Sequence, residues 1–212
     1  MARTAQMSGD QPGKGHRAAL SSFLALFLFL TVSAPLLAAD LRMAIFAGGC
    51  FWCVEADFEE LPGVISAESG YTGGWTVNPS YEQVSAGNSG HTEAVRVLYD
   101  ARQISYSRLL DHFWRHIDPT VKNRQFCDVG PEYRSVIYWQ TTEERLAAER
   151  SRDVLLASGR FPRIETEIVP ASVFYPAEEY HQDYYRKHPW RYAYFRFACR
   201  RDARLQQIWG NR

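Results

Sequence analysis

A cysteine, Cys50, stands where a predicted strand ends and a predicted helix begins, in the segment GGCFWC at 48–53. At such a junction the free backbone N–H groups and the positive end of the helix dipole favour an anion. A thiolate is the anion that Cys50 can supply, and the thiolate is the nucleophilic form of cysteine. A buried, inert cysteine is the alternative. The two glycines before Cys50 allow close backbone approach and favour the nucleophile.

A second cysteine, Cys53, follows three residues later in the same predicted helix. Side chains at that spacing share one helix face, with Cβ atoms roughly 5–6 Å apart. A disulfide needs a Cβ separation of about 4 Å, so a bridge to Cys50 requires slight tightening of the first turn. Cys53 is either a redox partner or a small apolar residue of the helix, and the spacing leaves both open.

Residues 1–39 are typical of an export signal. Basic residues precede a stretch from Ala18 to Ala39 that carries no charge, and small residues follow its apolar centre. Cleavage after Ala39 would leave Leu37 at a position that prefers a small residue. An uncleaved membrane anchor is therefore the alternative, because about 20 uncharged residues can span a bilayer. In both cases we expect residues 40–212 to lie outside the cytosol, for example in a periplasm, where cysteines can pair.

Composition narrows the classes of function. The 24 Lys+Arg residues balance 24 Asp+Glu residues, and a net charge of zero removes the simplest argument for nucleic-acid binding. No Gly-rich nucleotide loop follows a predicted strand, so the sequence predicts no cofactor. Residues 40–212 contain no internal repeat or linker, and we expect them to form one domain that acts as a monomer.

Hydrophobic spacing predicts the elements that position these cysteines. Alternating side chains predict strands over 43–47, 64–71, 93–99, 135–139 and 164–169. Apolar residues at helical spacing predict helices from Cys50 to a stop at 62–63, over 105–117, over 142–158 with Thr142 as its cap, and over 178–185. The segment between the second strand and Gly90 is predicted to be a loop. Beyond Pro189 no pattern is clear, and the basic residues there indicate a solvated tail.

The order of these elements predicts an α+β fold. Strand, helix, strand, strand, helix, strand is the order of a split βαβ (ferredoxin-like) core. We therefore expect a two-layer sandwich in which helices cover one face of a mixed sheet. A long coil-rich C-terminal segment is expected to follow it.

Ten separated blocks of the sequence stand in order over about residues 42–189. They are GCFW (49–52) with Glu55, LPGV (61–64), GYTGG (70–74), NPSY (78–81), GHTEAV (90–95), FW (113–114), DP (118–119), Gln125 with DVG (128–130), YRS (133–135) and HQ (181–182). In order and spacing these blocks resemble the A-type peptide methionine sulfoxide reductases, and chance agreement over so many blocks is not expected.

The resemblance implies an oxidoreductase that repairs oxidised methionine, free or in proteins, and that prefers the S epimer of the sulfoxide. It implies that Cys50 attacks the sulfoxide sulfur, which leaves methionine and a sulfenic acid on Cys50. Phe51 and Trp52 match the aromatic wall that receives the S-methyl group. Asp128 matches the residue that contacts the substrate backbone.

The resemblance also implies that Glu93, Tyr81 and Tyr133 bind and protonate the sulfoxide oxygen. Taken from the sequence alone, Glu93 at the head of a strand is a solvated charge. A carboxylic acid keeps a proton near neutral pH only if burial raises its pKa. A positioned acid supplies about 10²- to 10⁴-fold in rate. Lowering a thiol pKa by about two units gains only about threefold. We therefore predict that Glu93 contributes more than activation of the thiol.

The sequence departs from the family pattern in its other cysteines. Most members that we compare have glycine at the position of Cys53, and many carry recycling cysteines in a Gly-rich tail. Here Cys199 lies in a tail without nearby glycine, and Cys127 lies beside Asp128. Cys53, Cys127 and Cys199 are all candidates to resolve the sulfenic acid. We hypothesise that more than one takes part and passes the disulfide outward to a thioredoxin-like reductant.

Two other functions compete with this interpretation. A thioredoxin-like disulfide oxidoreductase would use Cys50 and Cys53 alone, but two bulky aromatics between the cysteines are unusual. A metal-binding module would use Cys50, Cys53 and Cys127 with His91 or His181. A single Cys-x-x-Cys pair is weak support for zinc, so the sequence predicts no metal.

Overall fold

The computed structural model describes residues 39–210. Residues 1–38, nearly all of the predicted export segment, lie outside the described residues. The division at residue 39 therefore stays a prediction. Within 39–210 no helix combines the length and the apolar character that crossing a membrane requires.

The described chain alternates strands and helices. In chain order the elements are β1 (Leu41–Gly48), α1 (Phe51–Glu59), β2 (Val64–Thr72), α2 (Tyr81–Ser85), β3 (Thr92–Asp100), α3 (Tyr106–Arg115), β4 (Arg124–Gln125), β5 (Asp128–Val129), β6 (Ser135–Trp139), α4 (Thr142–Ala157), β7 (Glu167–Pro170), β8 (Tyr175–Pro176), α5 (Tyr184–Lys187), α6 (Pro189–Ala198) and α7 (Arg201–Trp209). A single 3₁₀ turn, Pro131–Tyr133, precedes β6.

The main sheet has six strands in the order β7-β6-β1-β3-β2-β8. Its neighbours pair antiparallel except β6 and β7, which pair parallel, so the sheet is mixed. The connection from β1 through α1 to β2 leaves β3 between the two strands. The connection from β3 to β6 leaves β1 between its two strands. The predicted α+β fold with a mixed sheet is confirmed, and the four central strands have the order of a split βαβ core.

Alternation along β1 sends its side chains to two different layers. Ala44 and Phe46 are fully buried in the helix-side core, where the Phe46 ring lies 4.9 Å from Phe58 and 5.1 Å from Phe113. Ile45 and Ala47 belong to a smaller cluster on the opposite face. Partly buried residues at the end of β7 and in the segment after it, through Phe174, pack against that cluster. Helices therefore cover one face of the sheet, and irregular chain covers the other.

Several predicted boundaries are wrong for local reasons. Thr141, not Thr142, caps α4, because Thr141 has an extended backbone and its hydroxyl accepts from the Glu144 N–H. The predicted loop before Gly90 contains α2, which begins at a capping box of Ser80 and Gln83. The strand predicted over 164–169 begins only at Glu167. The helix predicted over 178–185 is mostly turn, and only its end enters α5.

The C-terminal segment is not the predicted coil or solvated tail. It forms α6 and α7, and α7 places Leu205 and Trp209 in the helix-side core. Arg201 is 2% exposed, and its guanidinium is paired with the Asp57 carboxylate. The prediction failed because Arg201 and Arg204 are neutralised by acids more than 80 positions earlier in the chain. A disulfide between Cys127 and Cys199 also joins the α6–α7 junction to the chain before β5.

Candidate active site

Cys50 is the N-cap residue of α1, directly after the end of β1. Gly49 makes the turn between them with φ +84°, in the left-handed region that favours glycine. A Cβ on Gly49 would lie 2.5 Å from the Gln125 Cβ, so the turn needs glycine for space as well. Gln125 is held in turn by the backbone of Asp118, because its side-chain amide accepts from the Asp118 N–H and donates to the Asp118 carbonyl. These contacts fix the place of Cys50.

The thiols of Cys50 and Cys53 are hydrogen-bonded to each other, and both side chains are buried. The shared proton stays with Cys50, because the bond to Cys53 and burial raise the pKa of the Cys50 thiol well above its ordinary value. The same bond and the nearby Arg201 lower the pKa of Cys53. The prediction of a lowered pKa at Cys50 is therefore wrong. The more acidic thiol of the pair is Cys53.

The Glu93 carboxyl group takes the anion position that the sequence assigned to the thiolate. Its Oε2 atom accepts a 2.9 Å hydrogen bond from the Phe51 N–H, the first backbone donor of α1. Glu93 lies on β3 opposite Tyr71 and is 3% exposed. Burial raises the pKa of Glu93 to about 8, and the Phe51 hydrogen bond only partly offsets this. Near neutral pH this carboxyl group therefore carries a proton, next to Cys50.

Three further predicted site residues lie around Glu93 and Cys50. Burial, and then the charge of Glu93, raise the pKa of Tyr81 to about 12 and that of Tyr133 further. Both hydroxyl groups therefore stay neutral donors. Burial raises the pKa of Asp128 to about 6. The structure brings these residues together from the start of α2, the 3₁₀ turn and β5, and their roles stay predictions.

Aromatic rings surround the side of the site formed by Phe51 and Trp52. The Trp52 indole stacks on Tyr184 with ring centroids 3.7 Å apart. Its Nε1–H donates to Nδ1 of His181 over 3.1 Å, and the His181 ring centroid is 4.9 Å from that of Phe51. Burial lowers the pKa of His181, so this ring is a neutral part of the wall. The wall can take an apolar methyl group.

Residues without a role predicted from the sequence hold the site in place. Glu178 accepts hydrogen bonds from the Tyr71 hydroxyl (2.8 Å) and from the Tyr81 N–H (2.9 Å). The Gln182 amide bonds to both the N–H and the carbonyl of Ser69. Glu55 accepts from the Asp183 N–H at 2.6 Å and from the Ser69 hydroxyl, so its role is structural. In the sequence, only the HQ block (181–182) indicated that this segment contributes to the site.

Cys127 and Cys199, two of the three candidate resolving cysteines, are bonded to each other. Only Cys53 contacts Cys50 as a free thiol. The same disulfide engages Cys127, which the metal-binding alternative would use as a ligand. Both ring nitrogens of His91 are also engaged, by the Gly74 N–H and by the Thr76 carbonyl. The two possible ligand clusters within 39–210 include neither Cys50 nor Cys53.

Comparison with known proteins gives consistent results. A family model described as peptide methionine sulfoxide reductase matches residues 42–212. Peptide methionine sulfoxide reductase MsrA 2 of Caulobacter vibrioides is 47% identical over 189 residues, which are 89% of this chain and 96% of that protein. MsrA of Bacillus licheniformis is 48% identical over 81% of this chain and 95% of its own length. Methionine sulfoxide reductase A of Corynebacterium diphtheriae superposes with a TM-score of 0.64 at 36% identity, covering 70% of this chain and 76% of that one.

Proposed function

Because the chain belongs to the peptide methionine sulfoxide reductase family, it reduces methionine sulfoxide, and we propose that Cys50 is the residue that attacks the sulfoxide sulfur. The substrates are the S epimer of methionine sulfoxide in oxidised proteins and peptides and as the free amino acid. The first half of the reaction converts the sulfoxide to methionine and the Cys50 thiol to a sulfenic acid.

The protonated Glu93 carboxyl group beside Cys50 carries this proposal. The sulfoxide oxygen leaves the substrate sulfur only if it gains a proton, so an acid at that position has a direct use. Glu93 is buried, keeps its proton up to about pH 8 and lies at the same helix start as Cys50. Tyr81 and Tyr133 hold the oxygen as neutral donors. The wall of Phe51 and Trp52 takes the methyl group, and Asp128 contacts the substrate backbone.

Cys53 completes the second half of the reaction. Its sulfur forms a disulfide with Cys50, and the sulfenic hydroxyl leaves as water with the proton that Cys53 loses. The hydrogen bond between the two thiols supports this assignment, as does the bond that already engages both Cys127 and Cys199. The sequence-based hypothesis allowed several cysteines to take part. Of these, we assign Cys53 to the first disulfide.

The Cys50–Cys53 disulfide must be reopened for another turnover. Disulfides are reopened by attack of an external thiolate, and a thioredoxin-like dithiol is the reductant that the family resemblance implies. The uncharged stretch within residues 1–39 supports repair of oxidised methionine outside the cytosol, in a periplasm or on its membrane. Residues 40–212 then act as one domain.

A stoichiometric reaction tests the proposed function. Reduced protein mixed with one equivalent of a peptidyl methionine S-sulfoxide, without added reductant, should yield one methionine and lose two thiols. The R epimer should remain unchanged. Cys50→Ser should yield no methionine, whereas the wild-type yield should survive in Glu68→Gln, which changes a half-buried carboxyl group on β2 that pairs with Arg96. Methionine formation by Cys50→Ser would overturn the proposal.

A further inference from the structure

Two arginines from the C-terminal helices converge on one carboxylate of α1. Arg201, on α7, donates from Nη2 to Asp57 Oδ2 over 3.0 Å and to the His116 carbonyl over 2.8 Å. Arg196, on α6, donates from Nη1 to Asp57 Oδ1 over 2.9 Å and to the Tyr192 hydroxyl over 3.0 Å. Asp57 therefore has a guanidinium at each of its two oxygens.

This cluster has more positive than negative charge in the protein interior. The side chains of Arg201 and Asp57 are 2% and 6% exposed, and that of Arg196 is 17% exposed. The second acid that pairs with Arg196 is Asp202, whose side chain is 62% exposed and so strongly screened by water. Nε of Arg201 is buried and has no hydrogen-bond partner among the described residues. Buried charges are normally paired, so the cluster can take one more anion.

Cys53 is placed to supply that anion. It precedes Asp57 by four residues on α1, so the two side chains lie on the same helix face. Asp57 from its own helix, Arg196 from α6 and Arg201 from α7 act on it electrostatically, as do Tyr192, Glu93 and Cys50. Among these groups only the two arginines carry positive charge.

The arginines also account for the difference within the cysteine pair. The hydrogen bond from Cys50 lowers the pKa of Cys53 most, and Arg201 and Arg196 lower it further against the effects of burial and Asp57, whereas the bond to Cys53 and burial raise the pKa of Cys50. Two buried thiols in direct contact on one helix turn would otherwise be hard to distinguish. The C-terminal helices therefore supply positive charge on the Cys53 side of the cysteine pair.

We propose that Arg201 and Arg196 are positioning residues that hold Cys53 as a thiolate and so make it the resolving cysteine. The inference deepens the proposed function and rests on it. The Cys53 thiolate attacks the sulfur of the Cys50 sulfenic acid, the S–S bond forms and the S–O bond breaks. The sulfenic sulfur is reduced, the Cys53 sulfur is oxidised, and the leaving hydroxide takes up the proton that Cys53 has shed and becomes water.

The expected effect is confined to the second half of the reaction. Thiolate is the attacking species, and loss of a nearby positive charge raises a thiol pKa by about one unit or more. Near neutral pH this lowers the thiolate fraction of Cys53 by at most about tenfold. Formation of the Cys50–Cys53 disulfide should slow by a similar factor, partly offset because the more basic thiolate is the stronger nucleophile. Release of methionine in the first half should persist.

The test measures both halves in one stoichiometric reaction of the full chain with a peptidyl S-sulfoxide. In Arg201→Met we expect one methionine to form, with disulfide formation several-fold slower than in wild type and sulfenic acid accumulating. Arg201→Lys should recover part of the rate because it restores the charge. Arg196→Gln, at a less buried site than Arg201, should show the same defect if Arg201→Met does not fold.

Arg204→Gln is the matched control, because Arg204 lies on the same helix but pairs with Asp118. Its disulfide formation should match wild type. In a Cys50→Ser background, the pH midpoint of Cys53 alkylation should rise by about one unit with Arg201→Met and stay in place with Arg204→Gln. Normal disulfide formation and an unmoved midpoint in both arginine variants would overturn the inference. Absence of any methionine from wild-type protein would instead show that the proposed function itself fails.

Discussion

The start of α1 binds a carboxyl group, and this changes how the site works. The sequence marked the junction as a site for an anion, whereas the structure places there a carboxyl group that keeps its proton near neutral pH. Glu93 is 43 positions away from Cys50 and reaches the Phe51 N–H only because β3 pairs with β1 and β2. Taken alone, Glu93 would be a solvated charge. The family resemblance was needed to predict it.

The place of Cys50 at the helix start could be predicted from the two glycines before it. The structure shows why Gly49 is needed, because it has a left-handed backbone and lies against Gln125. The protonation state of Cys50 could not be predicted. Burial and the contact with Cys53 oppose the helix dipole and keep the proton on Cys50. Chemistry at this site therefore depends more on proton donation to the leaving oxygen than on a preformed Cys50 thiolate.

Replacing Glu93 tests, at the residue scale, how far the rate depends on proton donation to the leaving oxygen. We expect Glu93→Gln to slow methionine formation in a single turnover by about 10²-fold or more, because the sulfoxide oxygen loses its acid. In wild type the rate should also fall as pH rises through about 8, because the acid form of Glu93 is lost above its raised pKa. Glu93→Gln should show no such fall. Stopped reactions across this pH range measure both effects.

Glu55→Gln is the control for that experiment. Burial also raises the pKa of Glu55, to about 7, but this carboxyl group bonds to Ser69 and Asp183 instead of facing the sulfur pair. The alkaline fall near pH 8 should remain in this variant. If the alkaline fall in rate persists in Glu93→Gln and disappears in Glu55→Gln, the titrating acid is Glu55 and the assignment to Glu93 is wrong.

At the scale of elements, the central strands and helices α1 and α3 could be predicted from the spacing of their apolar residues, whereas the short helix α2 could not. Strand β1 alternates between two cores, and α3 buries Leu109, Leu110, Phe113 and Trp114 on one side. The C-terminal helices could not be predicted in this way. Helix α6 leaves Trp190, Tyr194 and Phe197 largely exposed, so its aromatic residues show no buried face. Helix α7 buries an arginine whose acid partner lies on α1.

The Cys127–Cys199 disulfide braces these C-terminal helices. It closes a loop over a sequence separation of 72 residues, for which loop entropy gives about 4 kcal/mol of stability. For a domain of this size we expect Cys127→Ser/Cys199→Ser to lower Tm by roughly 10 °C. Calorimetry on matched oxidised samples measures the change.

The same double variant distinguishes a disulfide that only stabilises the fold from one that also takes part in the recycling of the active site. At temperatures well below its Tm, we expect the double variant to form the Cys50–Cys53 disulfide in a single turnover. We also expect it to sustain steady turnover with a thioredoxin-like reductant. Single-turnover disulfide formation serves as the internal control for correct folding. Loss of steady turnover alone would show that Cys127 and Cys199 pass the disulfide outward, as the broader hypothesis from the sequence holds.

At the scale of the whole molecule, the site is assembled from distant parts of one chain. Cys50 and Cys53 come from the first helix, Glu93 from the middle of the sheet, and His181 and Arg201 from the last 35 residues. The match to the family over residues 42–212 covers all of these parts. Contacts between side chains more than 100 positions apart, such as Trp52 with His181, need the folded structure, and for this reason sequence spacing did not predict the support around the site.

The most direct test of the account traps the intermediate. Cys53→Ser protein is mixed with one equivalent of a peptidyl methionine S-sulfoxide in the presence of a reagent that labels sulfenic acids, and the label is located by mass spectrometry. We predict one methionine per protein and the label on Cys50. Methionine formed at the wild-type yield with Cys50 unlabelled and still a free thiol would contradict the account.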